Sequence, residues 1–354
     1  MKGDVPSLGG RLRRLQRRLL RLQLLLVLSV VILLLGTWAV LAIRFSNLPG
    51  ETARIAAAAV FGTGFALAFL FLPRRRRTLA VFLAAFAGVA VWWSLIPASH
   101  DRDWMPSVAV LPSAEIDGAQ VTLRNVRNFQ YRSASDFDIA YYDRTYDLDA
   151  LETVDFVKSH WDKLEDVAHT MLSFGFRGGE RVAVSVETRL EKGEPQSAIR
   201  GLFKQYELIY VLADENDLIR LRTDFRNEEV YLYKTTSTPA EARVLFLDIL
   251  EKVNDIHRRP QFYDTFTGNC TTSLVPHVQK IRPPERRAPW WRMLLNGHTD
   301  RMAYEGGWIE RTGSFEETKA LHHINAYAKD ASGGESYSAR IRPQEKRQDK
   351  ESRK

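Results

Sequence analysis

One cysteine in 354 residues excludes an internal disulfide, so Cys270 is either an inert small core residue or a thiol kept for its chemistry. No cluster of His, Cys, Asp and Glu has zinc spacing, so neither a metal nor another cofactor is expected. No internal repeat is visible, which excludes a repeat architecture. Charge is absent from three long apolar stretches, 22–43, 55–72 and 78–96, each close to the roughly 20 residues that span a bilayer. A buried helix of a soluble domain would rarely be so free of charge. A cleaved signal peptide is excluded for the first stretch, whose apolar run is too long and is followed at once by two more.

What is present sets the orientation. Before residue 22 stand Lys2, Arg11, Arg13, Arg14, Arg17, Arg18 and Arg21 against one acid, Asp4, and a second basic cluster occupies Arg74 to Arg77. Both belong on the cytoplasmic side of a membrane, the loop 47–51 belongs outside, and everything after about residue 97 is then exported. The net charge of +7 is therefore a topology signal, and a nucleic-acid partner is excluded. The chain reads as a basic cytoplasmic segment (1–21), a three-helix anchor (22–97) with Trp92 and Trp93 at its interface, a polar linker (98–114), an exported domain (115–328) and a polar tail (329–354) expected to be disordered.

The exported domain reads as α+β, an antiparallel sheet followed by helices. Alternation in "AQVTLRNVRNFQYRS" predicts a strand, and "LDALETVDFVKSHW" fits either a short helix or a strand. Two β-prone runs flank Gly178-Gly179, a hairpin signal. "YELIYVLAD", "LIRLRT" and "EVYLYKT" predict three more strands. Thr238-Pro239-Ala240-Glu241 then opens a helix to about His257 with an N-cap, a first-turn proline and a glutamate at the third position.

"TFTGNCTTSL" holds the cysteine. Asn269 is a good N-cap and Thr271 and Thr272 would form the first turn, which places Cys270 where free N–H groups and the helix dipole stabilise a thiolate or supply an oxyanion hole. Pro276 limits the regularity of that helix. A thiol nucleophile needs a base. His277 is two turns away, about 10 Å, and too far; His257 suits a helix end. His169, in "VAHTMLSF", is either a satisfied core histidine or the base. A three- or four-residue turn at Gly178-Gly179 would put Glu187 opposite or diagonal to His169, to orient the ring, whereas a two-residue loop would pair His169 with Thr188; the plainer role for Glu187 is an ion pair with Arg189 or Arg181. Ser185 is a weaker candidate.

Together "DVAHTMLSFGF", "VAVSVETRLEKGE", "LFKQYELIYVLADENDLIRLRTDFRNEEVYLY", "FYDTFTGNCTTSL" and "LLNGHTDRMAYEGGWI" resemble the Lnb N-terminal periplasmic domain family over roughly residues 115–328. The resemblance implies an exported domain of a bacterial inner-membrane protein with a permuted papain-like fold, similar to the lecithin-retinol acyltransferase group, in which a strand histidine precedes an Asn-Cys pair. It implies an acyl shift within a lipoprotein, from the glycerol of its diacylglyceryl-cysteine to its free amine. Cys270 would carry the acyl chain as a thioester, His169 would be the base and Glu187 would orient it. Membrane lipids and lipoproteins are the partners this implies. "RRAPWWRMLL", with Trp290 and Trp291, would dip into the interface or pack in the core. The residues leave two alternatives open: a cysteine peptidase or amidase on cell-wall peptides, and a non-catalytic envelope binding protein.

Overall fold

Three apolar helices come first in the computed structural model, which describes residues 8–160, 166–282, 296–329 and 336–343. They are α1 (Leu8–Arg44), α2 (Glu51–Phe71) and α3 (Arg75–Ser94), each long and apolar enough to cross a bilayer. Aromatic side chains knit them together. Trp38 of α1 sits edge-on to Phe86 and Trp93 of α3, with ring centroids 5.6 and 5.3 Å away. A Cβ on Gly62 would come within 3.0 Å of Val40, so a small residue lets α2 approach α1 closely. Leu24, Leu33 and many other leucines point outward, as a lipid-facing surface requires. The chain divides into two units after Pro97.

The second unit is built on an eight-stranded sheet. Its strands are β1 (Ser113–Asp117), β2 (Gln120–Arg127), β5 (Tyr141–Asp147), β6 (Leu151–His160), β7 (Ala168–Phe176), β8 (Arg181–Arg189), β9 (Glu207–Ala213) and β10 (Glu229–Lys234). A separate ribbon pairs β3 (Gln130–Tyr131) with β4 (Phe137–Asp138). The order is β1-β2-β9-β8-β7-β6-β10, with β5 on β2. The expected antiparallel sheet is mixed: β2 meets β9 in parallel where Arg127 pairs with Ala213.

The β7–β8 hairpin closes as its glycines predict. Gly178 and Gly179 take φ of 93° and 89°, and the Phe176 N–H bonds the Glu180 carbonyl at 2.9 Å, leaving a three-residue turn. "LIRLRT" is not a strand: Glu215–Arg220 is α-helical (α4) and Leu221–Phe225 continues it as a π-helical turn. Asp214 precedes it, Glu215 and Asp217 favour its N-terminus, and Leu218, Ile219 and Leu221 share one buried face. Six residues fit both periods, and tertiary packing decides. "LDALETVDFVKSHW" is a turn followed by β6.

Alternation along the strands separates two layers. On one side, Leu172, Phe174, Val184, Val186 and Tyr210 pack under α5 (Pro239–Arg258) and α6 (Cys270–Ile281). Met171, Ala183, Ile209 and Val211 face the other side, against α4 and the late chain. Within the 329–354 stretch expected to be disordered, residues 336–343 are packed against this layer. Tyr337 and Ile341 are buried in the second layer, and Arg342 is buried against Asp155 and Glu215. Trp290 and Trp291 lie outside the described residues.

Candidate active site

Cys270 is the first residue of α6. Asn269 caps the helix, its Oδ1 accepting the N–H groups of Thr271 and Thr272 at 2.9 Å, while Thr272 Oγ1 accepts the Asn269 N–H. The preceding loop is pinned by Asp264, which accepts from Phe266 and Thr267, and by Thr265, which donates to the Ala198 carbonyl. Cys270 is 8 % exposed. Among the described residues its sulfur has two polar neighbours, the Asn296 amide nitrogen at 3.6 Å and the Thr271 hydroxyl at 3.9 Å. Thr271 in turn meets Thr170 of β7 at 3.2 Å.

That last contact decides the fate of His169. Thr170 and Leu172 face α6, so His169 and Met171 face the opposite layer. The structure does not bring His169 to Cys270, because the sheet stands between them. The β7–β8 hairpin is paired from its turn as far as Met171 opposite Ser185, and His169 and Glu187 lie two residues beyond that last pair. Yet the side chains are linked through Ser185, the weaker candidate: His169 Nε2 lies 2.7 Å from Ser185 Oγ, which donates to Glu187 Oε1 at 2.8 Å. Glu187 also accepts from Arg222 at 3.1 Å, not from Arg181 or Arg189. Burial opposes its ionisation, but Arg222 and Arg127 outweigh that and hold the carboxyl below the usual range. Ser185 spends its one proton on this carboxylate, so His169 donates from Nε2.

Burial, reinforced by Arg222, lowers His169 to about 3, which makes it a poor base at neutral pH as well as a distant one. A lowered folded-state pKa means that the unfolded chain binds the extra proton. Stability is therefore full above about 6.5 and falls as pH drops toward 3. In this window the wild type should lose up to ~1.4 kcal/mol per pH unit relative to His169→Gln. Denaturant titrations of both at pH 6.5, 5.5 and 4.5 measure it, and parallel slopes would count against the buried neutral ring.

The other histidines do not reach the sulfur. His277 bonds Asp248 through Nδ1 at 2.6 Å and Tyr210 through Nε2 at 3.1 Å. His257 takes the Pro112 carbonyl. His160, absent from the candidates read in the sequence, pairs with Ala168 and so points to the cysteine's side of the sheet, where it is buried edge-on to Tyr231. Counting the alternation from Thr170 across to β6 would have found it.

Sequence reasoning also missed the residues behind the sulfur. Asn296 receives the Ala168 N–H at 2.7 Å and sits on a turn tied down by the fully buried Lys158, which donates to the Gly297 carbonyl and to Asp300 at 2.6 Å. A lysine in the middle of a buried strand was the available signal. Beside them runs an apolar cleft of about 1390 Å³, lined by Phe156, Leu172, Leu274, Val278, Met302 and Trp308, with Thr170 and Thr271 on its wall. Among the described residues no group of three His, Cys, Asp or Glu converges to hold a metal.

Comparison with protein families places this arrangement. The model described as the Lnb N-terminal periplasmic domain matches residues 138–297, a shorter stretch than the resemblance had suggested. Curated proteins and solved structures give no match. The matched stretch contains β6 to β10, α5, the helix that begins at Cys270, and Asn296. Residues 138–297 therefore match the family model of the Lnb N-terminal periplasmic domain, in a chain that also carries three membrane-length helices.

Proposed function

We propose that this protein is anchored in the inner membrane with its N-terminus in the cytoplasm, and that its periplasmic domain transfers acyl groups through Cys270 on a lipid-linked substrate such as a lipoprotein. One observation carries the reading: Thr271, whose hydroxyl is 3.9 Å from the Cys270 sulfur, also lines the apolar cleft. The stretch of the cleft walled by Phe156, Leu274, Val278 and Met302 suits an acyl chain, and Gln279, Arg282, Glu305 and Arg311 add polar groups for the head of a lipid-linked substrate.

In the reaction the sulfur adds to the ester carbonyl, the C–S bond forms and the C–O bond breaks. The glycerol oxygen leaves with the proton the thiol gave up. An amine then attacks the thioester, a C–N bond forms as the C–S bond breaks, and the thiol is restored with a proton from the amine. His169 is not assigned the proton transfer, because it faces the other layer. The helix N-terminus and the Asn296 amide favour the anionic sulfur and the developing oxyanion.

That no histidine reaches the sulfur among the described residues favours one second reading, a domain that holds an acyl chain without chemistry. The test uses the full chain in vesicles containing a diacylated lipopeptide with an alkyne-tagged acyl chain. The proposal expects a hydroxylamine-sensitive tag on the Cys270 peptide and none in Cys270→Ala. Saturable binding without covalent label, equal in both proteins, would establish the second reading instead.

A further inference from the structure

We infer that Asn296 is the side-chain donor held against the reacting sulfur, and that the buried Lys158–Asp300 pair exists to position it; this rests on the reading of Cys270 as the acyl acceptor. The amide cannot be turned round. Its Oδ1 accepts the Ala168 backbone N–H at 2.7 Å, and a backbone donor needs an oxygen there. The NH2 end is therefore the one that faces Cys270 Sγ at 3.6 Å and Thr271 Oγ1 at 3.2 Å. Asn269 already occupies the N–H groups of Thr271 and Thr272, so the first turn has fewer donors to offer a developing oxyanion. Asn296 supplies one from outside the helix.

The turn that carries Asn296 is held by a chain of hydrogen bonds. Lys158, 0 % exposed, donates to the Gly297 carbonyl and to Asp300; the Tyr233 hydroxyl donates to the other Asp300 oxygen at 3.0 Å; Thr299 donates to the Asn296 carbonyl at 2.8 Å. Lys158 is also the register partner of Thr170, whose hydroxyl meets Thr271. Sheet, turn and helix are thus fixed to one another at the sulfur. A buried ion pair adds little net stability over apolar replacements, so its use here is geometric.

Two readouts test this on the full chain in detergent: the rate of Cys270 alkylation by iodoacetamide from pH 5 to 9, and the p-nitrophenolate burst from p-nitrophenyl octanoate. Asn296→Ala should slow both about tenfold, the loss expected of one hydrogen bond to a charged group. Asn296→Asp keeps an oxygen for Ala168 but turns a carboxylate toward the sulfur. It should be slower than Asn296→Ala at pH 8 and regain rate relative to it at pH 5. His169→Ala should match the wild type in both. Thermal melts confirm that each variant is folded. If Asn296→Asp alkylates at the wild-type rate across the range, the inference is overturned. If alkylation depends on Asn296 but no burst appears in any protein, the amide–sulfur coupling stands and the acyl-transfer reading fails.

Discussion

Replacing Arg342 by alanine should cost the periplasmic domain about 3–5 kcal/mol, the range for removing one partner of a buried ion pair. Arg342 is 2 % exposed and donates to Asp155 at 2.6 and 3.0 Å and to Glu215 at 2.9 Å. Without it Glu215 keeps Ser173 as a donor, and among the described residues Asp155 keeps Arg181, which reaches it from two strands away. Lysine should rescue less than half, since one ammonium cannot match a planar fork bridging two carboxylates. The pH dependence carries a sign. Burial opposes ionisation of Glu215, but Arg342 overrides it and brings the group to about 2. This contribution is present above about 4.5 and is lost as pH falls toward 2, so wild type and Arg342→Ala should converge in acid. Urea titrations at pH 7 and pH 3.5, read by tryptophan fluorescence, measure the gap. A gap under 1 kcal/mol at pH 7 would show that the late chain is not part of the cooperative fold.

That ion cluster marks where sequence reading stopped. Arg342 and Asp155 are 187 positions apart, and a polar, charged stretch at the end of the chain gives no local sign of its partner. Local chemistry was legible wherever one segment decides its own form. The charge-free runs are the three long helices, Thr238 and Glu241 make a reciprocal cap on α5, and Asn269 does the same for α6 with Thr272. The glycine turn set the β7–β8 register, and Ser185 stands between His169 and Glu187. What no segment decides alone is the face of the sheet on which a later helix lands. His169 and Thr170 are neighbours in the chain and opposite in the fold, and only the packing of α6 against Thr170 selects between them. The short run at Leu218 to Thr223 failed for a related reason, since a few residues fit a strand until the buried face is known.

The same distinction bears on Asp300, whose replacement by alanine should also cost about 3–5 kcal/mol, by leaving Lys158 charged in the interior. Lys158 and Asp300 are 142 positions apart and 0 % and 1 % exposed. Burial, larger than the opposing pull of Asp300, lowers the lysine's pKa even in the intact pair. Removing the carboxylate lowers it further, so the unfolded chain binds more protons and the variant's deficit should shrink as pH rises from 6 toward 9. Denaturation at both ends of that range measures the trend, and a deficit constant with pH would mean that the lysine is not desolvated as the structure shows. The double replacement Lys158→Met with Asp300→Leu removes both charges and should recover most of the stability. It should not recover the reactivity of Cys270, because the turn bearing Asn296 loses the donor that holds the Gly297 carbonyl. A stable fold with a slow thiol would separate what this pair does for the site from what it does for the core.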